Sequence, residues 1–165
     1  MIPVGPLNSK NVGTTVSAWV VTPDALEPFS VPAKEKKQPI APYLDYPNAK
    51  ILSISLDVAI DGKMLGKANS NVMDWTMEQL IAHQSSAGCG VRTGDLLGWG
   101  TVSGPSLDEL GCLLEDHCPD KTARRTYVED NEEVQMRGYC GKGVGFGECV
   151  SKLLPASSSQ TWHSQ

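Results

Sequence analysis

Hydrophobic and polar residues alternate along one stretch in the first half of the chain. Apolar side chains stand at every second position from Leu52 to Ile60, with Ser, Asp or Ala between them. A period of two predicts a half-buried β-strand. The dipeptide Asp61-Gly62 follows at once and is the strongest short signal for a β-hairpin. We therefore expect residues 63–68 to return as the partner strand.

Residues 71–84 show the helical pattern instead. Asn71 is a suitable N-cap, Gly88 is placed to close the C-terminus, and His83 near the end suits a favourable interaction with the helix dipole. We expect the apolar stripe of this helix to face the core. The positions at near-helical spacing are Met73, Met77, Leu80, Ile81 and Gln84, of which all but Gln84 are apolar.

Shorter apolar runs predict further strands. Residues 16–21 form one such run. Thr22 and Pro23 then predict a helical turn that Pro28 stops. Residues 98–105 are typical of a strand that breaks into a loop, and this loop presents the hydroxyl groups of Thr101 and Ser103.

Near the C-terminus, residues 126–128 and 133–136 predict a hairpin across four polar residues. Glycine then occupies every second position from Gly141 to Gly147. Such spacing leaves one strand face without side chains, which favours close packing against another sheet. The polar residues 157–165 predict a disordered tail.

These elements predict a mixed α/β, β-rich fold with one main helix. A chain of 165 residues is one domain or part of one, and we assign residues 1–156 to it. The net charge is −5 with no basic block, which argues against nucleic-acid binding and against an anionic membrane surface. The first ten residues do not show the basic-then-apolar pattern of a secretory leader and no apolar run approaches about 20 residues, so we expect neither a leader nor a membrane span.

Five cysteines are an odd number, and reduced thiols are the simplest interpretation. Zinc bound by Cys112, His117 and Cys118 is the alternative, which the lack of any C-x-x-C pair disfavours. Lys10 is followed by Asn11 rather than Ser or Thr, so residues 10–15 do not form a phosphate loop.

Four segments in order resemble the fumarylacetoacetase (fumarylacetoacetate hydrolase) family. The most specific is RTGDLLGWGTVSGP followed by LGCLLE, at residues 92–105 and 110–115. The others are GPLNSKNVGTTVSAWVVTPDALEPF, SNVMDWTMEQLIAH and RGYCGKGVGFGEC. Together they extend over nearly the whole chain, and they resemble the C-terminal part of the family only.

The resemblance implies a function and a site. The family hydrolyses a carbon–carbon bond of fumarylacetoacetate, giving fumarate and acetoacetate in the last step of tyrosine and phenylalanine catabolism. By position, Lys10 and Thr14 match the neighbourhood of a Mg²⁺ ion, and Lys10, which would also lie near the substrate, is a catalytic candidate together with Glu115. Thr101 matches a contact to the substrate carboxylate, and Glu115 matches the group that orients a histidine base.

The resemblance also implies a β-roll, a homodimer and a cytoplasmic location. The family's histidine base, its metal-binding carboxylates and most of its Ca²⁺ ligands lie upstream of the matched segments. We therefore expect the isolated chain to be inactive. After Glu115, residues 116–119 depart from the family pattern. An acylpyruvate hydrolase, an oxaloacetate decarboxylase and a non-enzymatic remnant or assembly partner remain alternatives.

Overall fold

The computed structural model describes residues 13–115 and 127–156. Within them lie six β-strands in two sheets, two α-helices and several single turns of 3₁₀-helix. The prediction of a mixed, strand-rich fold is confirmed at this level. The predicted tail, residues 157–165, lies outside the described residues.

The larger sheet has four antiparallel strands in the order β4-β3-β5-β6. These strands are β3 (Ser55–Ile60), β4 (Lys63–Asn69), β5 (Glu133–Cys140) and β6 (Val144–Lys152). The predicted hairpin at Asp61-Gly62 joins β3 to β4. Both turn residues have positive φ, 47° and 73°, as the type I′ turn requires.

The smaller sheet pairs β1 (Ser30–Pro32) with β2 (Lys50–Leu52). The alternating stretch from Leu52 to Ile60 is therefore divided between two sheets rather than forming one strand. Buried Ser70 lies at the division, where its hydroxyl accepts from the Ile54 amide at 2.9 Å and donates to the Leu52 carbonyl at 2.5 Å. This side chain takes hydrogen bonds that a neighbouring strand would otherwise make.

Two predicted strands are absent from the described residues. Residues 16–21 are irregular, because Ser17 and Thr15 are attached to β6 by isolated hydrogen bonds rather than by a ladder. Residues 98–105 are also irregular. Their glycines allow the chain to turn, and no strand of residues 13–115 or 127–156 pairs with them.

The predicted hairpin between residues 126–128 and 133–136 is wrong. β5 pairs instead with β3 on one side and with β6 on the other. The tight turn at Gly141–Gly143 joins β5 to β6, with Cys140 opposite Val144. A turn of this kind fixes the register of two long strands, and residues 131–132 hydrogen-bond to Leu153 instead.

The main helix exists as predicted but begins later. It is α2, Met77–Ser86, and its N-cap is Thr76 rather than Asn71. The amide of Gln79 donates to the Thr76 hydroxyl, and the Thr76 amide donates to the Gln79 side chain, completing a capping box. Gly88, at φ 81°, follows the helix as expected.

The expectation that the apolar stripe of this helix faces the core is wrong within this chain. Met77 and Ile81 are 36% and 43% exposed, whereas Gln79 is only 4% exposed. Gln79 is buried because its side-chain amide also donates to the Leu44 carbonyl at 2.8 Å. The helix is thus held by a polar side chain, while much of its apolar surface meets no part of the described chain.

The other helix, α1 (Pro23–Leu26), begins after Thr22 as predicted, although the Thr22 side chain makes no capping bond. Pro28 does not stop the turn, because α1 continues into a 3₁₀ turn at Glu27–Phe29. No helix of the described residues is long and apolar enough to cross a membrane.

Candidate functional site

A loop that folds back on itself carries Thr101. We call residues 101–111 the hydroxyl loop. The Gly104 amide donates to the Glu109 carbonyl at 2.9 Å, and the Gly111 amide donates to the Ser103 hydroxyl at 3.1 Å. These bonds close the two ends of the loop onto each other. Ser103 therefore shapes the loop with the hydroxyl that sequence reasoning had singled out as presented to its surroundings.

Gly111 allows the closure of the hydroxyl loop. A Cβ atom at this position would overlap the Val102 carbonyl and would lie 2.7 Å from Thr101 Cγ2. Only glycine leaves room for the two sides of the loop to approach each other this closely. The approach places Thr101 beside the residues that lead directly to Glu115.

The hydroxyl loop lies against strand β4 at one edge of the sheet. A Cβ atom at Gly66 would lie 3.0 Å from the Leu110 carbonyl oxygen and 3.2 Å from that of Asp108. Because Gly66 has no side chain, the backbone of the loop can pack directly against β4. Contacts between β4 and the 3₁₀ turn Leu107–Glu109 follow from the same approach.

Residues 13–21 lie against β6, at the opposite edge of the sheet. The Ser17 hydroxyl donates to the Phe146 carbonyl at 2.5 Å, and the Cys149 thiol donates to the Thr15 carbonyl at 3.5 Å. Gly147, at φ 76°, admits the Trp19 ring, which a Cβ atom would overlap. Gly147 of β6 therefore faces this segment, whereas the sequence predicted that the alternating glycines face another sheet.

A cleft of about 930 Å³ lies on one face of the sheet between these two flanking segments. Thr101 and Ser17 both line it, from opposite edges of the sheet. The volume is within the range of about 300–1,000 Å³ that is typical of small-molecule sites. The floor consists of apolar side chains of the sheet: Leu56, Val58, Ile60, Val134, Met136 and Phe146.

The structure brings some of the predicted site residues to this cleft. Thr101 is exposed and lines it. Glu115 ends the 3₁₀ turn Leu113–Glu115, is half-buried, and donates its amide to the Cys112 carbonyl at 3.1 Å. Cys112 and Leu113 line the cleft, so Glu115 follows directly after lining residues.

The other two predicted residues, Thr14 and Lys10, are not among the residues that line the cleft. Thr14 is exposed and belongs to the segment that reaches the cleft through Ser17, three residues further on. Lys10 lies outside the described residues, as do His117 and Cys118 of the zinc alternative. The roles of Lys10, Thr14, Thr101 and Glu115 remain predictions.

Sequence reasoning missed Ser17 as a residue of the cleft. It appeared only as the polar position in an apolar run predicted to be a strand. Its hydroxyl also accepts from the Trp19 amide at 3.2 Å, so it fixes the local chain direction as well as the attachment to β6. A single serine within an otherwise apolar run was the available signal.

The described residues do not by themselves form a metal site. Among residues 13–115 and 127–156, no group of three His, Cys, Asp or Glu side chains could hold a metal ion. A Mg²⁺ or Ca²⁺ ion at this cleft would therefore need carboxylate ligands from outside them. The Thr14 hydroxyl would only complete such a set.

One pair of ionisable groups is clearly perturbed, and it lies away from the cleft. Lys50 Nζ is 2.7 Å from Glu27 Oε1. This hydrogen bond and the opposite charges lower the pKa of Glu27 and raise the pKa of Lys50. The pair lines a smaller cavity of about 360 Å³ together with Trp99, whose indole nitrogen is buried and has no partner among the described residues.

Comparison with known proteins identifies the family to which this chain belongs. Residues 1–153 match the family model described as "Fumarylacetoacetate (FAA) hydrolase C-terminal". The chain therefore belongs to the FAA hydrolase family, and this agrees with the resemblance found in its sequence.

Within this family, the chain is similar to several curated proteins. The chain is 39% identical to the fumarylacetoacetases of Arabidopsis thaliana over 170 residues, Bos taurus over 173 and Homo sapiens over 173. These matches extend over 94–95% of this chain. The chain spans only 40–41% of the length of these curated relatives.

Proposed function

We propose that this chain contributes the C-terminal part of a fumarylacetoacetase active site, which hydrolyses a carbon–carbon bond of fumarylacetoacetate to give fumarate and acetoacetate. The observation that supports this most is the cleft, where Thr101 and the residues preceding Glu115 are joined by the closure at Gly111. The relatives at 39% identity carry the name fumarylacetoacetase, which suggests the substrate.

The reaction requires a base, a group that holds the substrate, and a place for developing charge. Water adds to one carbonyl of the β-diketone, the carbon–carbon bond breaks, and its electron pair leaves as an enolate that then takes up a proton. In this proposal the Thr101 hydroxyl donates to a substrate carboxylate. Glu115 accepts from a histidine ring and holds it in the orientation needed to remove a proton from water.

The histidine base is not supplied by the described residues. His83 is the only histidine among them, and it lies in the last turn of α2 rather than in the lining of the cleft. Glu115 is therefore proposed as a positioning residue for a histidine from outside the described residues. Lys10 is proposed to lie near the substrate, and Lys10 and Thr14 near a Mg²⁺ ion whose carboxylate ligands come from elsewhere.

Several finer features belong to the same proposal. We propose that the strands form part of a β-roll and that the assembled protein is a cytoplasmic homodimer. The family resemblance supports these features. Ca²⁺ is proposed as a second ion of the assembled protein, with few of its ligands in this chain.

A substrate comparison tests the proposed activity. The chain, combined with the family portion that it does not match, should hydrolyse fumarylacetoacetate in preference to an acylpyruvate and should not decarboxylate oxaloacetate. The chain alone should release no fumarate. Metal-dependent turnover by residues 1–165 alone, or preferred turnover of oxaloacetate, would contradict the proposal.

A second candidate is a role in assembly without catalysis. The observation that favours it is the exposure of Met77 and Ile81 on α2 and of Met136 in the cleft floor. If the combined proteins associate and no turnover of any of the three substrates is measured, this second function replaces the first.

A further inference from the structure

The smaller cavity, beside the Glu27–Lys50 ion pair, contains an unused hydrogen-bond donor. Trp99 lines this cavity of about 360 Å³. The indole nitrogen of Trp99 is buried and has no partner among the described residues. Buried N–H groups in folded proteins nearly always have an acceptor, because leaving one without a partner is costly. We therefore expect an acceptor for this N–H group inside the cavity.

The smaller cavity is separate from the cleft, and the two share no lining residue. It lies where α1, the small sheet and the first turn of α2 meet. Its volume is near the lower end of the range of about 300–1,000 Å³ that is typical of small-molecule sites. Trp99 stands two residues before Thr101, so the cavity and the cleft flank the same short segment of chain.

The charged groups of the cavity indicate the charge of its ligand. Glu27 and Glu78 supply carboxylates, and Lys50 supplies an ammonium group. Glu27 and Lys50 form an ion pair at 2.7 Å, yet each keeps hydrogen-bonding capacity, because an ammonium has three donors and a carboxylate accepts several bonds. A dianion such as fumarate would meet two like charges and one opposite charge. A molecule with one ammonium and one carboxylate finds an opposite charge for each.

The rest of the cavity wall is apolar. Leu26 and Ile51 are buried, so they form a part of the wall that is held in place by packing. A ligand that fills the cavity therefore carries a small apolar group besides its charges. The apolar lining residues are Pro23, Leu26, Pro47, Ile51, Leu52 and Met77.

We propose that the smaller cavity binds a free α-amino acid with an apolar side chain. The carboxylate of the ligand accepts from the Trp99 indole N–H and from the Lys50 ammonium. The ammonium of the ligand donates to Glu27 and Glu78, and its side chain packs on the apolar wall. This inference goes beyond the proposed function and does not depend on it, because no residue of the cleft takes part.

NMR of the tryptophan indole groups tests the proposal directly. The chain has four tryptophans, so ¹⁵N-labelled tryptophan gives four indole signals, and Trp99→Phe identifies the Trp99 signal by its loss. L-leucine is the probe. Its controls are 4-methylpentanoate, which lacks the ammonium, and 3-methylbutylamine, which lacks the carboxylate. We expect L-leucine to move the Trp99 signal downfield to saturation, and each control to bind at least about 10-fold more weakly.

Two variants separate the contributions to binding. Trp99→Phe keeps an aromatic ring and removes the donor, and Lys50→Met removes the ammonium. Each should weaken L-leucine binding at least about 10-fold in calorimetry. Trp75→Phe, outside the cavity, should leave the affinity unchanged. Because Trp99→Phe removes a buried donor that has no partner among the described residues, it is not expected to unfold the chain.

An unmoved Trp99 signal, equal affinity for L-leucine and either control, or undiminished binding by Trp99→Phe would overturn the proposal. Loss of L-leucine binding when the chain is combined with the family portion that it does not match would also overturn it, since the cavity would then belong to internal packing. Turnover enters none of these measurements, so this inference and the proposed function fail separately.

Discussion

Individual glycines permit the close backbone contacts that form the candidate site. The sequence shows a dense set of glycines around Thr101 and predicts sharp turns or close approaches there. The structure separates these glycines into two kinds. Gly111 sits against the Val102 backbone, whereas a Cβ atom at Gly98 would meet nothing within 4 Å. Spacing along the sequence cannot separate them, because the neighbours of each glycine come from other parts of the chain.

Gly111→Ala tests the closure of the hydroxyl loop. We expect it to lower the free energy of unfolding by about 2–3 kcal/mol, because the new methyl group overlaps the Val102 carbonyl and the backbone must move. Gly98→Ala is the control and should change stability by less than about 1 kcal/mol. Urea denaturation measures both, and equal effects would contradict the assigned packing.

Thiol reactivity provides a second test at this scale. Cys140 is fully buried, and burial raises the pKa of its thiol, whereas Cys89 is exposed. The thiolate is the reactive form, so Cys89 should be alkylated first and Cys140 only when the chain unfolds. Mass spectrometry after timed treatment with iodoacetamide follows each site. Early modification of Cys140 would show that its surroundings are open.

Elements whose signals are local were predicted best. The hairpin at Asp61-Gly62 depends on two adjacent residues. The start of α2 was predicted at Asn71 instead of Thr76, although a capping box requires Glu or Gln three residues after the cap. Thr76 has Gln79 at that position, whereas Asn71 has Asp74. Strands β5 and β6 were only partly recognised, because their pairing depends on the turn at Gly141–Gly143 and on β3, far away in the sequence.

Replacing the two candidate caps of α2 compares them directly. Thr76→Ala removes a hydroxyl that accepts from the Gln79 amide, and it should cost about 1–2 kcal/mol of unfolding free energy. Asn71→Ala should cost less than about 0.5 kcal/mol, because Asn71 is exposed and precedes the helix. Thermal or urea unfolding gives both values. A larger loss of stability for Asn71→Ala than for Thr76→Ala would indicate that the helix begins at Asn71.

The ion pair between the 3₁₀ turn at Glu27–Phe29 and β2 predicts a pH dependence. The pKa of Glu27 is lowered in the folded chain, so its stabilising effect is present above the ordinary glutamate pKa and is lost as pH falls through the lowered value. The pKa of Lys50 is raised, so its effect is present below the ordinary lysine pKa and is lost as pH rises through the raised value.

The wild type should therefore be slightly more stable than Glu27→Gln near neutral pH, and the difference should disappear in acid, below the ordinary glutamate range. Both side chains are well exposed, so the effect should also shrink in high salt. Unfolding curves of the two proteins across pH provide the measurement. A difference that persists in acid would mean that Glu27 acts through packing rather than charge.

At the scale of the whole molecule, the cleft forms between segments that are distant in the sequence. The sequence identified the family and four candidate residues. The placement of Thr101 and Ser17 at one cleft depends on how the hydroxyl loop and residues 13–21 attach to opposite edges of the sheet, through Gly66 and Ser17. Those attachments join distant parts of the chain, and no local pattern encodes them. The apolar stripe of α2 was predicted to face the core for the same reason, whereas Met77 and Ile81 are exposed.

The most direct test of the account is the rate of fumarylacetoacetate hydrolysis by the assembled protein with Glu115 replaced. If Glu115 orients a histidine base, Glu115→Gln should lower kcat by about 10²-fold or more while the chain still binds its partner. Glu35→Gln, at an exposed position in the connection before β2, should leave the rate unchanged. An undiminished kcat for Glu115→Gln would remove this carboxylate from the reaction and contradict the assignment of the cleft.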